Sequence, residues 1–240
     1  MKVFVVLFFL LFFTFLYAQE EEKEKKGFIT FGYSQSQGNI DVSTASLTAN
    51  YTVKYPKYRL FFDLKILYGT SQGEKNAEQI DGKLRYELRR GKYFPFWDIL
   101  YYRNPFQNFE HRVATGPGVG YYITKTEKKY LSISYYLYYY YDVINNTLIN
   151  KIDRTLFHNI EERFKYHFTE NLSFKQKGLY SVSNENFQNY YTNIELNLIN
   201  KITQNLGLQV SYIINYQNIP KEKGIKRLDT TLTTSIMYNF

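Results

Sequence analysis

Polar and apolar side chains alternate with a period of two along most of this chain. In residues 81–90, DGKLRYELRR, the charges Asp81, Lys83, Arg85, Glu87 and Arg89 occupy every second place. Gly82, Leu84, Tyr86 and Leu88 stand between them. A helix would spread these charges around its surface, whereas a strand gathers them on one face and the apolar residues on the other. The same reading predicts strands over 27–37, 42–55, 58–70, 80–90, 93–103, 112–123, 130–142, 153–168, 172–182, 189–200, 206–216 and 229–240. That is an even number, twelve, and each strand has or exceeds the ~9–11 residues that cross a bilayer at a tilt. No helical period intervenes, and the spacing leaves no room for the crossover helices of a parallel sheet.

The connections alternate as well. The segments PK, GK, TKTEKK, TEN and NKITQN are tight, while SQGEKNAEQ, NPFQNFEH, VINNTLINKI, SNENFQ and QNIPKEKGIKR are longer and polar. The turn at Gly38-Asn39 is short and breaks the trend. Short turns at one rim and longer loops at the other are what an outer-membrane barrel shows. Aromatic positions agree. Tyr68, Tyr101, Tyr139, Tyr141, Tyr180, Tyr190 and Tyr216 fall at one rim, and Tyr55, Tyr58, Tyr93, Tyr121, Tyr166, Phe168, Tyr238 and Phe240 at the other. Two girdles around an aliphatic band suit a bilayer, because Tyr sits at headgroup level. The expected fold is therefore an all-β, transmembrane, antiparallel up-and-down barrel of about twelve strands. The competing fold is a soluble sandwich or lipocalin-like barrel, since alternation does not say which face is inside.

The ends of the chain extend this picture. Lys2 precedes an apolar run, Val3 to Tyr17, and the small Ala18 follows. This has the form of a signal peptide over residues 1–18, and its apolar run is short for a membrane anchor. Residues 19–26, QEEEKEKK, read as a charged periplasmic leader, and 27–240 as the barrel. The chain stops on DTTLTTSIMYNF, in mid-alternation and on an aromatic residue, where a soluble chain would fray into polar residues. Tyr238 and Phe240 resemble the terminal signal by which outer-membrane strands are recognised by the barrel-assembly machinery. Expected surroundings are outer-membrane lipid and lipopolysaccharide.

Composition removes some alternatives. The chain has 240 residues and no cysteine, so neither a disulfide framework nor a thiolate metal site is available. Its formal net charge of +8 is spread along the chain, not gathered in the concentrated patch that nucleic-acid binding needs.

Three segments carry a family resemblance: SQSQGNIDVST, NFEHRVATGPGVGYYI and, most specifically, KITQNLGLQVSYIINYQNIPKEKGIKRLDTTLTTSIMYNF. Through them the chain resembles the salt-induced outer membrane proteins, a bacterial barrel family without an assigned biochemical role. The resemblance covers essentially the whole mature chain and implies a barrel with no catalytic residues to carry over. Two departures stand out: Asn104 occupies an expected acidic position, and Pro117 lies within a strand, where it cannot donate to the ladder.

Little else points to chemistry. His111, His158 and His167 lack metal-ligand spacing, and no cofactor is expected. His158 falls on the apolar face near a rim, where a lipid hydrolase would place a Ser–His pair, but the neighbouring strands offer no serine on that face. The adjacent Glu161 and Glu162 point to opposite faces of a strand and cannot share a substrate; a bulge is expected there. GPGVG lacks the following helix and Lys of a phosphate loop. Tyr136, Tyr138 and Tyr140 face inward, either as an aromatic track for sugars or as packing.

The best functional feature is a lumen charge network of Arg59, Asp63 and Lys65 on one strand and Asp81, Lys83, Arg85, Glu87 and Arg89 on the next. Mixed signs on antiparallel neighbours favour cross-strand pairs. Such a network can close a narrow barrel, line a constricted pore for small polar or anionic solutes, or do both. The expectation is a monomeric, non-enzymatic outer-membrane barrel, structural or channel-forming. The competing classes are the lipid hydrolase and a surface binder acting through its external loops.

Overall fold

The structure, a computed structural model, describes residues 24–36, 42–71, 74–105, 109–146, 149–219 and 227–240. The expected signal segment, residues 19–23 of the expected leader and the expected Gly38-Asn39 turn lie outside them. Twelve strands run through the described residues: β1 (Glu24–Ser36), β2 (Val42–Lys54), β3 (Tyr58–Ser71), β4 (Glu74–Leu88), β5 (Tyr93–Asn104), β6 (Phe109–Lys125), β7 (Lys129–Asn146), β8 (Ile149–His167), β9 (Leu172–Ser183), β10 (Tyr190–Lys201), β11 (Leu206–Gln217) and β12 (Leu228–Asn239). Each pairs antiparallel with its sequence neighbours, and β1 pairs with β12 to close the barrel.

Polarity decides between the two expected folds. Large apolar side chains stand exposed on the outer face, among them Phe31, Trp97, Ile123, Ile133, Ile160 and Ile236. Polar and charged side chains are buried inside, among them Thr30, Arg85, Glu87, Asp98, Asn159 and Glu161. A soluble barrel would bury the first set and expose the second. Water cannot satisfy backbone groups in hydrocarbon, so a closed ladder with its apolar face outward is the solution a bilayer permits.

The seam between β1 and β12 is the shortest pairing. Its register runs only from Phe28 against Asn239 to Gly32 against Ser235, five pairs, compared with thirteen between β1 and β2. Backbone hydrogen bonds from Gly27 to the Phe240 carbonyl and from Phe240 to the Gly27 carbonyl extend it, both at 3.0 Å.

Four expectations change. Strand β1 begins at Glu24, because Glu24 pairs across the ladder with Lys54 in register and in charge. Much of two segments expected as external loops is strand: β4 starts at Glu74, and β7 and β8 extend to Asn146 and from Ile149. Ladder pairing persists beyond the bilayer because hairpin strands satisfy each other in water too. No bulge occurs at Glu161-Glu162; both pair in unbroken register with Ser134 and Ile133. Pro117 sits within β6, facing Trp97 on β5, while the β6–β7 register skips from Thr115–Tyr139 to Gly118–Tyr136. The missing N–H is accommodated there: the Leu137 carbonyl lies over Gly116, where only a residue without Cβ leaves room. Gly116→Ala should therefore cost about 1–3 kcal/mol, since backbone and not a movable side chain must give way. A urea-unfolding midpoint equal to that of the parent barrel would refute this.

Candidate functional site in the barrel interior

One side of the barrel interior is filled by an aromatic cluster. On the filled side, Phe94 and Phe96 of β5 reach across to β6, whose inward positions include Gly118 and Gly120; a Cβ at either would strike those rings. Tyr136, Tyr138 and Tyr140 of β7 are buried against them, with Tyr122 and Phe157 completing the cluster. The tyrosines are packing, and their hydroxyls are engaged. Tyr138 donates to Asp98, Tyr136 donates to Glu161 at 3.3 Å, and Tyr140 meets the Tyr191 hydroxyl at 3.0 Å. Buried hydroxyls and charges need such partners.

The interior charges are wired differently from the expected β3–β4 ladder. At its centre stands Asp98 of β5, which is fully buried. Arg85 donates to it through Nε at 2.7 Å and Nη2 at 2.8 Å, a bidentate fork, and Lys83 Nζ lies 3.1 Å away. The Arg85 guanidinium also lies 3.7 Å from the Phe96 ring centroid. Arg59 does pair with Glu87, its register partner, and donates to the Tyr122 hydroxyl. Asp63 faces Lys83 in register but accepts from Asn50 instead. Lys65 faces Asp81, whose carboxylate accepts from Gln79 at 2.6 Å. Arg89 belongs to the rim: Nη1 donates to the carbonyls of Tyr55 at 2.9 Å and Pro56 at 3.1 Å.

Sequence reasoning missed Asp98, the Glu161–Arg163 pair at 2.6 Å and the Arg112–Asp142 fork at 2.7 and 2.6 Å. It also missed the buried Asn159, which accepts from the Ser181 hydroxyl at 2.6 Å. All hold inward parity on their strands. A search for charges at that parity on every strand, rather than on two, would have found the ionic ones.

The opposite wall, from β8 through β12 to β3, mixes small polar side chains with lysines. Inward positions include Asn193, Asn197, Thr231, Thr48 and Thr44, half-buried or exposed, and Thr30, Ser211, Ser235 and Met237, which are buried. Here Lys165 and Lys175 face each other directly in register, and Lys201 lies on the next strand. None of the three has a carboxylate within ion-pair distance among the described residues. Lys175 instead reaches across the interior to within 5.3 Å of the Phe28 ring centroid.

The remaining candidates are outside the lumen. His158 faces outward, with Nδ1 2.6 Å from the Tyr135 hydroxyl and Nε2 3.1 Å from Asn184 Oδ1, so both its nitrogens are occupied and no serine is among these partners. His111 meets the Tyr101 hydroxyl at 2.9 Å. Among the described residues no group of acids and histidines is placed to hold a metal. Tyr238 and Phe240 stand exposed on the outer face, and the Phe240 ring fits over Gly27, where a Cβ would collide with it.

The architecture is shared with solved outer-membrane channels. The NanC porin superposes with a TM-score of 0.52 at 11% identity, covering 89% of this chain and 97% of that one. The COG4313 outer membrane channel from Pseudomonas putida F1 superposes with a TM-score of 0.54 at 11% identity, covering 93% of this chain and 98% of that one. At such identity the likeness concerns the fold. No curated protein sequence matches the chain. A family description does match, over residues 29–240 and so over nearly the whole barrel, and by it the chain belongs to the family described as protein of unknown function, DUF481.

Proposed function

We propose that this protein is a narrow, non-enzymatic channel of the bacterial outer membrane that favours small anions. One observation carries the reading: Lys165, Lys175 and Lys201 crowd one wall without carboxylate partners among the described residues, while Glu87, Asp98, Asp142, Glu161 and Glu195 each bond a cation. Like charges set directly opposite on a ladder cost stability. Their retention is explicable if water and passing anions screen them. A positive, partly desolvated wall raises the local anion concentration and repels cations. The fold of the NanC porin and of the Pseudomonas channel is compatible with this role.

The finer resemblance to salt-induced outer membrane proteins belongs to the same proposal. So do cleavage of residues 1–18, recognition of Tyr238 and Phe240 by the assembly machinery, and a monomer set in lipid and lipopolysaccharide. The termini end of the barrel is then periplasmic. A second reading, a purely structural barrel, is favoured by the buried Arg85–Asp98–Tyr138 network, which packs one side of the interior.

Planar-bilayer recordings under a salt gradient separate the two. The parent barrel should conduct with a reversal potential favouring chloride, and the triple variant Lys165→Gln, Lys175→Gln, Lys201→Gln should lose most of that preference. Absence of discrete conductance would leave the structural barrel, and unchanged selectivity in the variant would refute the role of these lysines.

A further inference from the structure

A cavity of about 240 Å³ opens at the termini end of the barrel, lined by Pro56, Arg59, Arg89, Gly91, Tyr122 and Lys125. The β2–β3 turn supplies Pro56, the β4–β5 turn Arg89 and Gly91, and the adjoining ends of β3 and β6 supply Arg59, Tyr122 and Lys125. The β4–β5 turn is tight enough to need Gly91 at φ +64°, which brings Arg89 back toward the mouth. Three cations thus line one small space. Arg89 donates from Nη1 to two turn carbonyls and is held in place by them. Lys125 Nζ lies 4.2 Å from the Tyr122 ring centroid and forms no ion pair among the described residues. Arg59 is bound to Glu87 through Nη2, yet its Nε is buried with no hydrogen-bond partner. A buried guanidinium N–H without an acceptor is costly.

We infer that this cavity is a binding site for a phosphate group. Among the described residues, Arg59, Arg89 and Lys125 stand against one ion-paired carboxylate, that of Glu87, which leaves a net charge near +2 at the site and matches a phosphate dianion. Guanidinium forks suit its oxygens, and an ammonium adds a point charge. The volume equals about eight waters at ~30 Å³ each, room for one oxyanion and part of its hydration shell. The β2–β3, β4–β5 and β6–β7 turns and the start of β7 carry Lys57, Arg90, Lys92, Lys128 and Lys129 against Glu127, a field that draws anions to this mouth. Phosphate could arrive free from solution or as the headgroup of a phospholipid in the adjoining leaflet; the chemistry recognised is the same. The inference deepens the channel reading and rests on it for the direction of solute flow, but not for binding.

The test is equilibrium binding to the purified, refolded full barrel in a zwitterionic detergent without phosphate. Isothermal titration with inorganic phosphate is compared with chloride at constant ionic strength, and a soluble short-chain phosphatidylglycerol is titrated separately. Lys125→Gln is the main variant because this exposed residue has no acid partner to orphan, and Arg89→Gln is the second. Saturable phosphate binding, weakened about tenfold or more in both variants, supports a free-anion site; the same pattern only with the phospholipid supports a headgroup site. Binding of neither, or equal affinity in parent and variants, overturns the inference. A barrel that binds phosphate but conducts nothing would remove the channel and keep the site; one that conducts without saturable binding would do the reverse.

Discussion

Asp98→Ala should destabilise the refolded barrel by about 3–5 kcal/mol, the range for breaking a buried ion pair from one side. The reason lies in what remains. Arg85, only 2% exposed, would lose both hydrogen bonds of its fork, and the Tyr138 hydroxyl and Lys83 would lose their acceptor. The Phe96 ring beneath the guanidinium cannot supply an acceptor of comparable strength. The double variant Arg85→Met, Asp98→Leu removes both charges together and should recover most of the loss, because the cost comes from the orphaned charge. Urea titration in lipid vesicles, followed by tryptophan fluorescence and by mobility without heating, measures both. A loss under ~1 kcal/mol for Asp98→Ala would show that water reaches Arg85 and that the interior is not sealed there.

The second large effect separates adjacent residues on one strand. Leu84 faces outward on β4, and Lys83 faces the interior. Leu84→Arg would place a guanidinium in hydrocarbon, at about 2–4 kcal/mol near the midplane. Lys83→Leu should cost less, because Asp98 keeps Arg85 and Tyr138. A soluble barrel would also reject Leu84→Arg, so labelling completes the test. In membranes Leu84→Cys should react with a lipid-soluble probe, and Lys83→Cys should prefer a small water-soluble thiol reagent. The opposite preference, or protection of both thiols, would reverse the faces of the strand.

These two residues also mark how far sequence reasoning reaches. Parity along a strand is local, so DGKLRYELRR alone puts Lys83 and Leu84 on opposite faces, and the sorted loops and aromatic girdles turn Lys83 inward. Pairing is not local. Asp63 lies opposite Lys83 in register, yet Lys83 bonds Asp98 on the other side, because both β3 and β5 flank β4 and a long side chain can turn either way. Tyr138 reaches the same carboxylate from β7, a contact set by barrel curvature and by the glycine row of β6, which no periodicity encodes. Arg89 fails for another reason: alternation continues to it in the sequence, but β4 ends at Leu88 and the turn carries Arg89 to the rim. The lysine group was hidden because Lys165, Lys175 and Lys201 lie on three separate strands.

The short β1–β12 seam gives the molecule an order of assembly. Every other pairing joins strands adjacent in the chain, so its closure entropy is that of a hairpin. The seam alone must bring together residues as far apart as 28 and 239, and it does so with the fewest register pairs. A step with the greatest entropic cost and the smallest enthalpic return is disfavoured until the other eleven hairpins have bent the sheet round and brought its edges together. The ring therefore closes last and parts first, and before closure the backbone edges of β1 and β12 are free to pair with a strand from outside.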